Sequence, residues 1–174
     1  MIIALSKFIH RKRRRFRCTL ARTYREISSA SVDDLWQKVV DLADVSWHPL
    51  LWKTNVPHGL VPQPGLIFQA VTRLWPIPIR IFVERVSPKE SLSIRIMAIP
   101  GVEERVTYQV GATVIGTCVS YSVTLKGWLS PLIWSFSRPF AARVARALVQ
   151  AAEEPALPSI SGNKKSLGGN CFDF

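Results

Sequence analysis

The sequence predicts an α+β domain: a curved antiparallel sheet of about seven strands wrapped around one long C-terminal helix, with a short helix after strand 1. Three observations carry this expectation. Short strand-like runs with turn-rich separators follow one another from Leu66 to Lys126, period-two alternation gives them one apolar face, and after Gly127 the apolar spacing changes to threes and fours. A sheet that is apolar on one side needs a cover, and the helical stretch supplies it.

In chain order, "CTLARTYREI" from Cys18 to Ile27 is free of helix-stop chemistry and reads as the first strand. In "SASVDDLWQKVVDLADV" Ser31 precedes Asp34 as a hydroxyl and a carboxylate placed to satisfy free N–H groups at a helix start. Val32, Leu35, Trp36, Val39, Val40 and Ala43 then recur at helical spacing, and Pro49 in "SWHPLLW" is expected to end the helix. A Pro- and Gly-punctuated loop follows through "VPHGLVPQPG". The strand-like runs are "LIFQAVTRLW", "IRIFVERV", "SLSIRIMAI", "ERVTYQV" and "GTCVSYSVTLK", separated by "PIP", "SPKE", "PGVE" and "GATVIG", so a meander is the simplest topology. Leu92, Ile94, Ile96 and Ala98 alternate with polar neighbours, as do Val106, Tyr108 and Val110, and Val119, Tyr121, Val123 and Leu125.

From Gly127 to Glu154, Leu129, Leu132, Ile133, Phe136, Phe140, Val144, Leu148 and Ala151 define the expected apolar stripe of the long helix. Pro131 suits its first turn, whereas Pro139 is expected to kink or split it. Between Val110 and Phe136 the only charge is Lys126, which imitates a membrane span, but the Ser and Thr at alternate positions from Cys118 to Leu125 are strand chemistry. Residues 155–174, rich in Ser, Gly, Asn and Lys, read as a disordered tail. The domain is therefore expected over 18–154, behind a basic arm at 1–17.

The net charge of +11 suggests a polyanionic partner until it is divided by region. Residues 1–25 hold nine Lys or Arg and no acid, whereas residues 26–154 hold twelve bases against eleven acids. A neutral domain carries a charged arm, and this argues against nucleic acid as the partner. Lys7, Arg11, Lys12, Arg13, Arg14, Arg15 and Arg17, interleaved with Ile2, Ile3, Leu5, Phe8 and Ile9, fit contact with an acidic membrane surface; a leader without a partner, or an organelle transit segment, fits as well. The order of apolar and basic residues is not that of a secretory signal. Three widely spaced cysteines without a CxxC pair argue against disulfides and zinc and fit a cytoplasmic, reducing location, with peripheral membrane contact left open. No metal or cofactor is expected.

The residues "ISSASVDDLWQKVVDLADVSWHP", the Pro64–Gly65 pair leading into the third strand, "GTCVSYSVTLKG" and the long helix after it together resemble the START-related superfamily, which includes polyketide cyclase/dehydrase and lipid-transport proteins. The resemblance spans about residues 18–154 and implies the helix-grip fold, with an apolar cavity between sheet and C-terminal helix. The lining it implies is His48, Trp52, Phe68, Phe82, Ile94, Ile96, Val106, Tyr108, Tyr121, Leu132 and Phe136, with Trp47 and Trp75 near the mouth. It points to binding or transfer of a hydrophobic small molecule or lipid.

No nucleophile elbow, paired carboxylates or phosphate loop is present, so no catalytic residue is assigned. His48 is expected to cap the last carbonyls of the short helix. Arg80, Phe82 and Glu84 share one face of their strand; if that face is outward, Ile79, Ile81 and Val83 line the cavity instead. The alternative to a binding protein is a cyclase- or dehydratase-like enzyme on a polyketide-like or terpenoid substrate, with His48, Glu84 or a cavity tyrosine moving a proton.

Overall fold

The computed structural model describes residues 19–154 apart from Trp75. Strand β1 (Thr19–Ser28) leads into helix α1 (Val32–Val40); β2 (Leu51–Thr54), β3 (Ile67–Thr72), β4 (Pro78–Ser87), β5 (Ser91–Ile99), β6 (Val102–Thr113) and β7 (Gly116–Gly127) follow, and α2 (Ser130–Glu153) closes the domain. The strands form one seven-stranded sheet in the order β1-β7-β6-β5-β4-β3-β2, antiparallel at every junction. The sheet is curled into a half-barrel around α2, the expected helix-grip architecture.

Helix α1 starts as its sequence predicts. The Ser31 hydroxyl accepts from the Asp34 N–H at 3.1 Å and donates to the Asp34 carboxylate at 2.7 Å. Its end comes earlier than Pro49, because Asp41 Oδ1 accepts the N–H groups of Ala43 and Asp44, both at 3.2 Å, and turns the chain out of the helix. The residues beyond Pro49 then supply β2, a short edge strand that turn signals on either side concealed. Gly111, Ala112 and Thr113 belong to β6 rather than to a loop, so β6 and β7 form a hairpin joined only by Val114 and Ile115.

Helix α2 is a single helix through Pro139, with Pro131 in its first turn. Of the two outcomes expected at Pro139, a split does not occur. The buried face keeps Val144 and Leu148 of the expected stripe but not Leu132 and Phe136: Ser130, Trp134, Ala141, Ala145 and Val149 are buried with the first pair, and Leu129 and Ile133 pack against the core. Small residues on this face let the helix approach β1 and β7, against which it chiefly packs together with α1. The alternation read in β6 and β7 holds, and that in β5 holds as far as Ile96, with Leu92, Ile94, Val106, Tyr108, Val110, Val119, Tyr121, Val123 and Leu125 all buried in one core; Ala98 is exposed, where the register shifts between Ile96 and Ile99.

Candidate functional site

Antiparallel partners share a face, so the register defines the concave wall. Phe68 pairs with Ile81, Ile81 with Ile96, Ile94 with Val106, Val106 with Val123, and Tyr108 with Tyr121. Phe68, Ile94, Val106, Tyr108 and Tyr121 are buried on this wall and Ile96 is half-buried on it. Six of the expected lining residues thus come together beside Ile81 and Val83.

Four others do not. Phe82 pairs with Ile67 and Arg95 on the outer face, where the Arg95 guanidinium lies 5.8 Å from its ring centre. Leu132 and Phe136 are 55% and 65% exposed, on the side of α2 opposite Trp134, because the helix turns its smaller residues inward. Trp52, on the edge strand, is also exposed. Trp75 and the arm residues Lys7, Arg11, Lys12, Arg13, Arg14, Arg15 and Arg17 lie outside the described residues, as does the tail from residue 155.

Glu84 faces outward with Phe82. Partial burial pushes its carboxyl up, but hydrogen bonds from Arg95 (2.5 Å) and Arg105 (3.1 Å) and their charge hold it below its usual range. Glu103 completes a network of two acids and two bases on the outer sheet surface. This network is on the opposite face from Ile79, Ile81 and Val83, the inward residues of β4.

His48 is buried and fixed in one role. Its Nδ1 accepts the N–H groups of Leu50 (3.1 Å) and Leu51 (3.2 Å), so Nε2 carries the proton and donates to the Tyr108 hydroxyl at 3.1 Å. It therefore pins the chain entering β2 to β6 rather than capping α1. Burial, aided by the charge of Arg73, lowers its pKa to about 3, so the imidazole is neutral near pH 7. Trp47 packs against both His48 and Tyr108, with ring centres 5.2 and 6.4 Å away, and its Nε1–H is buried without a partner among the described residues.

The sequence reading missed Glu104. It pairs with Ile96 on one side and Leu125 on the other, so its side chain enters the concave face among hydrocarbon. No described residue donates a hydrogen bond or an ion pair to it. It is closely surrounded by protein yet only half-buried. Burial alone pushes its carboxyl up to about 7, and its charge in turn raises the hydroxyl pKa values of Tyr108 and Tyr121 after their own burial. The alternation in β6 contained the signal: Val106, Tyr108 and Val110 continue backwards in phase to Glu104.

The concave wall is therefore apolar apart from the Glu104 carboxyl and the Tyr108 hydroxyl, with Trp47 packed beside Tyr108. A separate shallow groove of about 250 Å³, lined by residues including Arg25, Gln109, Cys118 and Ser120, lies on the outer face.

No family model and no curated protein matches the chain. Solved structures do. The structure of Ara h 8.0201 superposes with a TM-score of 0.61 at 11% identity, covering 78% of this chain and 98% of its own. Truncated norcoclaurine synthase from Thalictrum flavum gives 0.60 at 18% identity, covering 80% and 96%. The di-domain ARO/CYC protein BexL from the BE-7585A biosynthetic pathway gives 0.59 at 15% identity, covering 77% of this chain and 48% of BexL. These are proteins of the superfamily that the sequence resembles, and the likeness establishes the shared fold.

Proposed function

We propose that the chain binds an apolar small molecule or lipid against the concave face of the sheet, with a polar group of that molecule meeting Glu104 and Tyr108. The observation that carries this reading is Glu104: a carboxyl set between Ile96 and Leu125, without a partner among the described residues, on a wall otherwise built of hydrocarbon and aromatic rings. Such a wall with a few oriented polar groups is the usual make-up of a small-molecule site. An isolated interior carboxyl costs free energy unless it stays protonated or meets a partner, and a ligand hydroxyl or amine supplies one. The fold neighbours support a small molecule as occupant, since norcoclaurine synthase was solved with dopamine and hydroxybenzaldehyde.

Organic extraction of the purified protein followed by mass spectrometry tests this. A stoichiometric apolar molecule bearing a hydrogen-bonding group is expected. Recovery of no such molecule, together with no saturable Nile red binding, would overturn the reading.

The same residue favours a second reading, a cyclase- or dehydratase-like enzyme. A carboxyl that titrates near neutrality can both give and take a proton. Glu104→Gln would then copurify with an unconverted molecule that differs in mass from the one held by the wild type.

A further inference from the structure

We propose that one end of the barrel is a docking surface for an anionic lipid membrane. The register gathers at this end the start of β1 and the end of β7 (Thr19 with Lys126), the β5–β6 turn (Ile99 with Val102), the β3–β4 turn (Val71 with Pro78) and the start of β2 (Leu51 with Thr72). Helix α2 begins beside it, directly after β7.

The end is lined with exposed apolar side chains. Trp52, Leu74, Ile77, Met97, Trp128 and Leu132 are all accessible, Trp52 at 61% and Trp128 at 69%. Tryptophan at such a margin suits a membrane interface, where its apolar body enters and its N–H stays wet. The surface is built closely: Gly127, at φ +144°, lets the end of β7 pass where a Cβ would stand 2.4 Å from the Gly101 carbonyl oxygen, and Trp128 lies over Gly101.

Its charge selects the partner. Lys53, Arg73, Arg80 and Lys126 surround the apolar residues, and among the described residues none of the four forms an ion pair; Lys53 lies 5.9 Å from the Trp52 ring centre, and Arg73 donates to the carbonyls of Leu51 and Ser46. Glu103, a half-buried acid at the start of β6, is engaged by Arg95 and Arg105. The chain before Thr19, with seven Lys or Arg between residues 7 and 17, joins the domain at this same end.

The opposite end also exposes apolar side chains, among them Ile27, Val114 and Ile115, with Leu60 and Val61 in the loop after β2, so charge distinguishes the two ends, and this one is acidic. Asp33 and Asp34 start α1, Glu90 lies in the β4–β5 turn, and Glu153 and Glu154 end α2, against Lys89, which is paired with Asp33 at 2.8 Å. An anionic bilayer attracts the first end and repels the second. This surface is independent of what the concave face holds.

Vesicle flotation of the full chain tests the proposal, with phosphatidylcholine vesicles that contain or lack phosphatidylserine. The variant Trp52→Ser/Ile77→Ser/Trp128→Ser is expected to lower partition onto the anionic vesicles about tenfold, and Arg80→Glu/Lys126→Glu to lower it comparably. Val114→Ser/Ile115→Ser, at the acidic end, is expected to bind as the wild type does, and circular dichroism should show all three folded. Three results would overturn the proposal: equal binding to neutral and anionic vesicles, a loss on changing Val114 and Ile115 as large as that at the basic end, or wild-type binding by both basic-end variants. In the last case, loss only on replacing the arm arginines would assign membrane contact to the arm alone. The serine variant carries the apolar claim and the charge variant the electrostatic one, so misfolding of either leaves the other decisive.

Discussion

Replacing Glu104 with Gln should stabilise the protein in alkaline buffer and leave it unchanged in acid. Burial raises the Glu104 carboxyl from the usual value of 4.5 to about 7, so the folded state holds this proton more tightly than the unfolded chain does. Stability is then fully present below pH 4.5 and is lost as pH rises from there to about 7. Each pH unit in that window is worth about 1.4 kcal/mol, giving a total of about 3 kcal/mol above neutrality. Glutamine imitates the neutral acid and removes the slope. His48 acts in the opposite sense, since its pKa is depressed to about 3 and its contribution is lost as pH falls from 6.5 toward that value; it is common to both proteins and cancels in their difference. The assay is urea unfolding followed by tryptophan fluorescence, at pH values spaced from acid to alkaline. A difference that grows from zero to about 3 kcal/mol and then levels off supports the placement of Glu104. A difference that stays constant with pH would refute the desolvation argument and put the carboxyl in water.

Three further outcomes follow from the packing. Tyr108→Phe removes the acceptor of the buried His48 Nε2–H and should cost about 1–3 kcal/mol in urea unfolding. Trp134→Ala should cost about 3–5 kcal/mol, whereas Phe136→Ala, on the exposed side of α2, should change stability by less than about 1 kcal/mol; the reverse order would contradict the observed phase of the helix. Gly127→Ala should lower the melting temperature sharply, because the backbone at φ +144° disfavours a side chain and its Cβ would meet the Gly101 carbonyl; an unchanged melting temperature would contradict that approach.

The fold was legible wherever a local rule decided it. The cap at Ser31, the alternation of β5 to β7 and Pro131 at the start of α2 each follow from chemistry within a few residues, and each stands where it was read. The site was legible only in part, because its geometry depends on phase. Five of the six lining residues sit on strands whose alternation was plain, and Phe68 on β3 is the sixth. Phe82 belongs to a strand in which large apolar residues occur on both faces, so side-chain size could not assign its direction; the salt bridges of Glu84 do. Leu132 and Phe136 were expected inside because they fall on a row of apolar residues spaced by threes and fours, yet the helix packs on Ala141 and Ala145, which that row leaves out. Glu104 was overlooked for the complementary reason: a charged residue at the end of an apolar row reads as the end of the row.

The proposed ligand presents a polar group to Glu104 on the concave face, and a displacement series with Nile red tests this most directly. An alkane, the primary alcohol of the same chain length and the primary amine should all displace the dye, with the alcohol and amine about tenfold stronger than the alkane in the wild type and equal to it in Glu104→Leu. No saturable dye binding, or an alkane that competes as well as its alcohol in the wild type, would contradict the account.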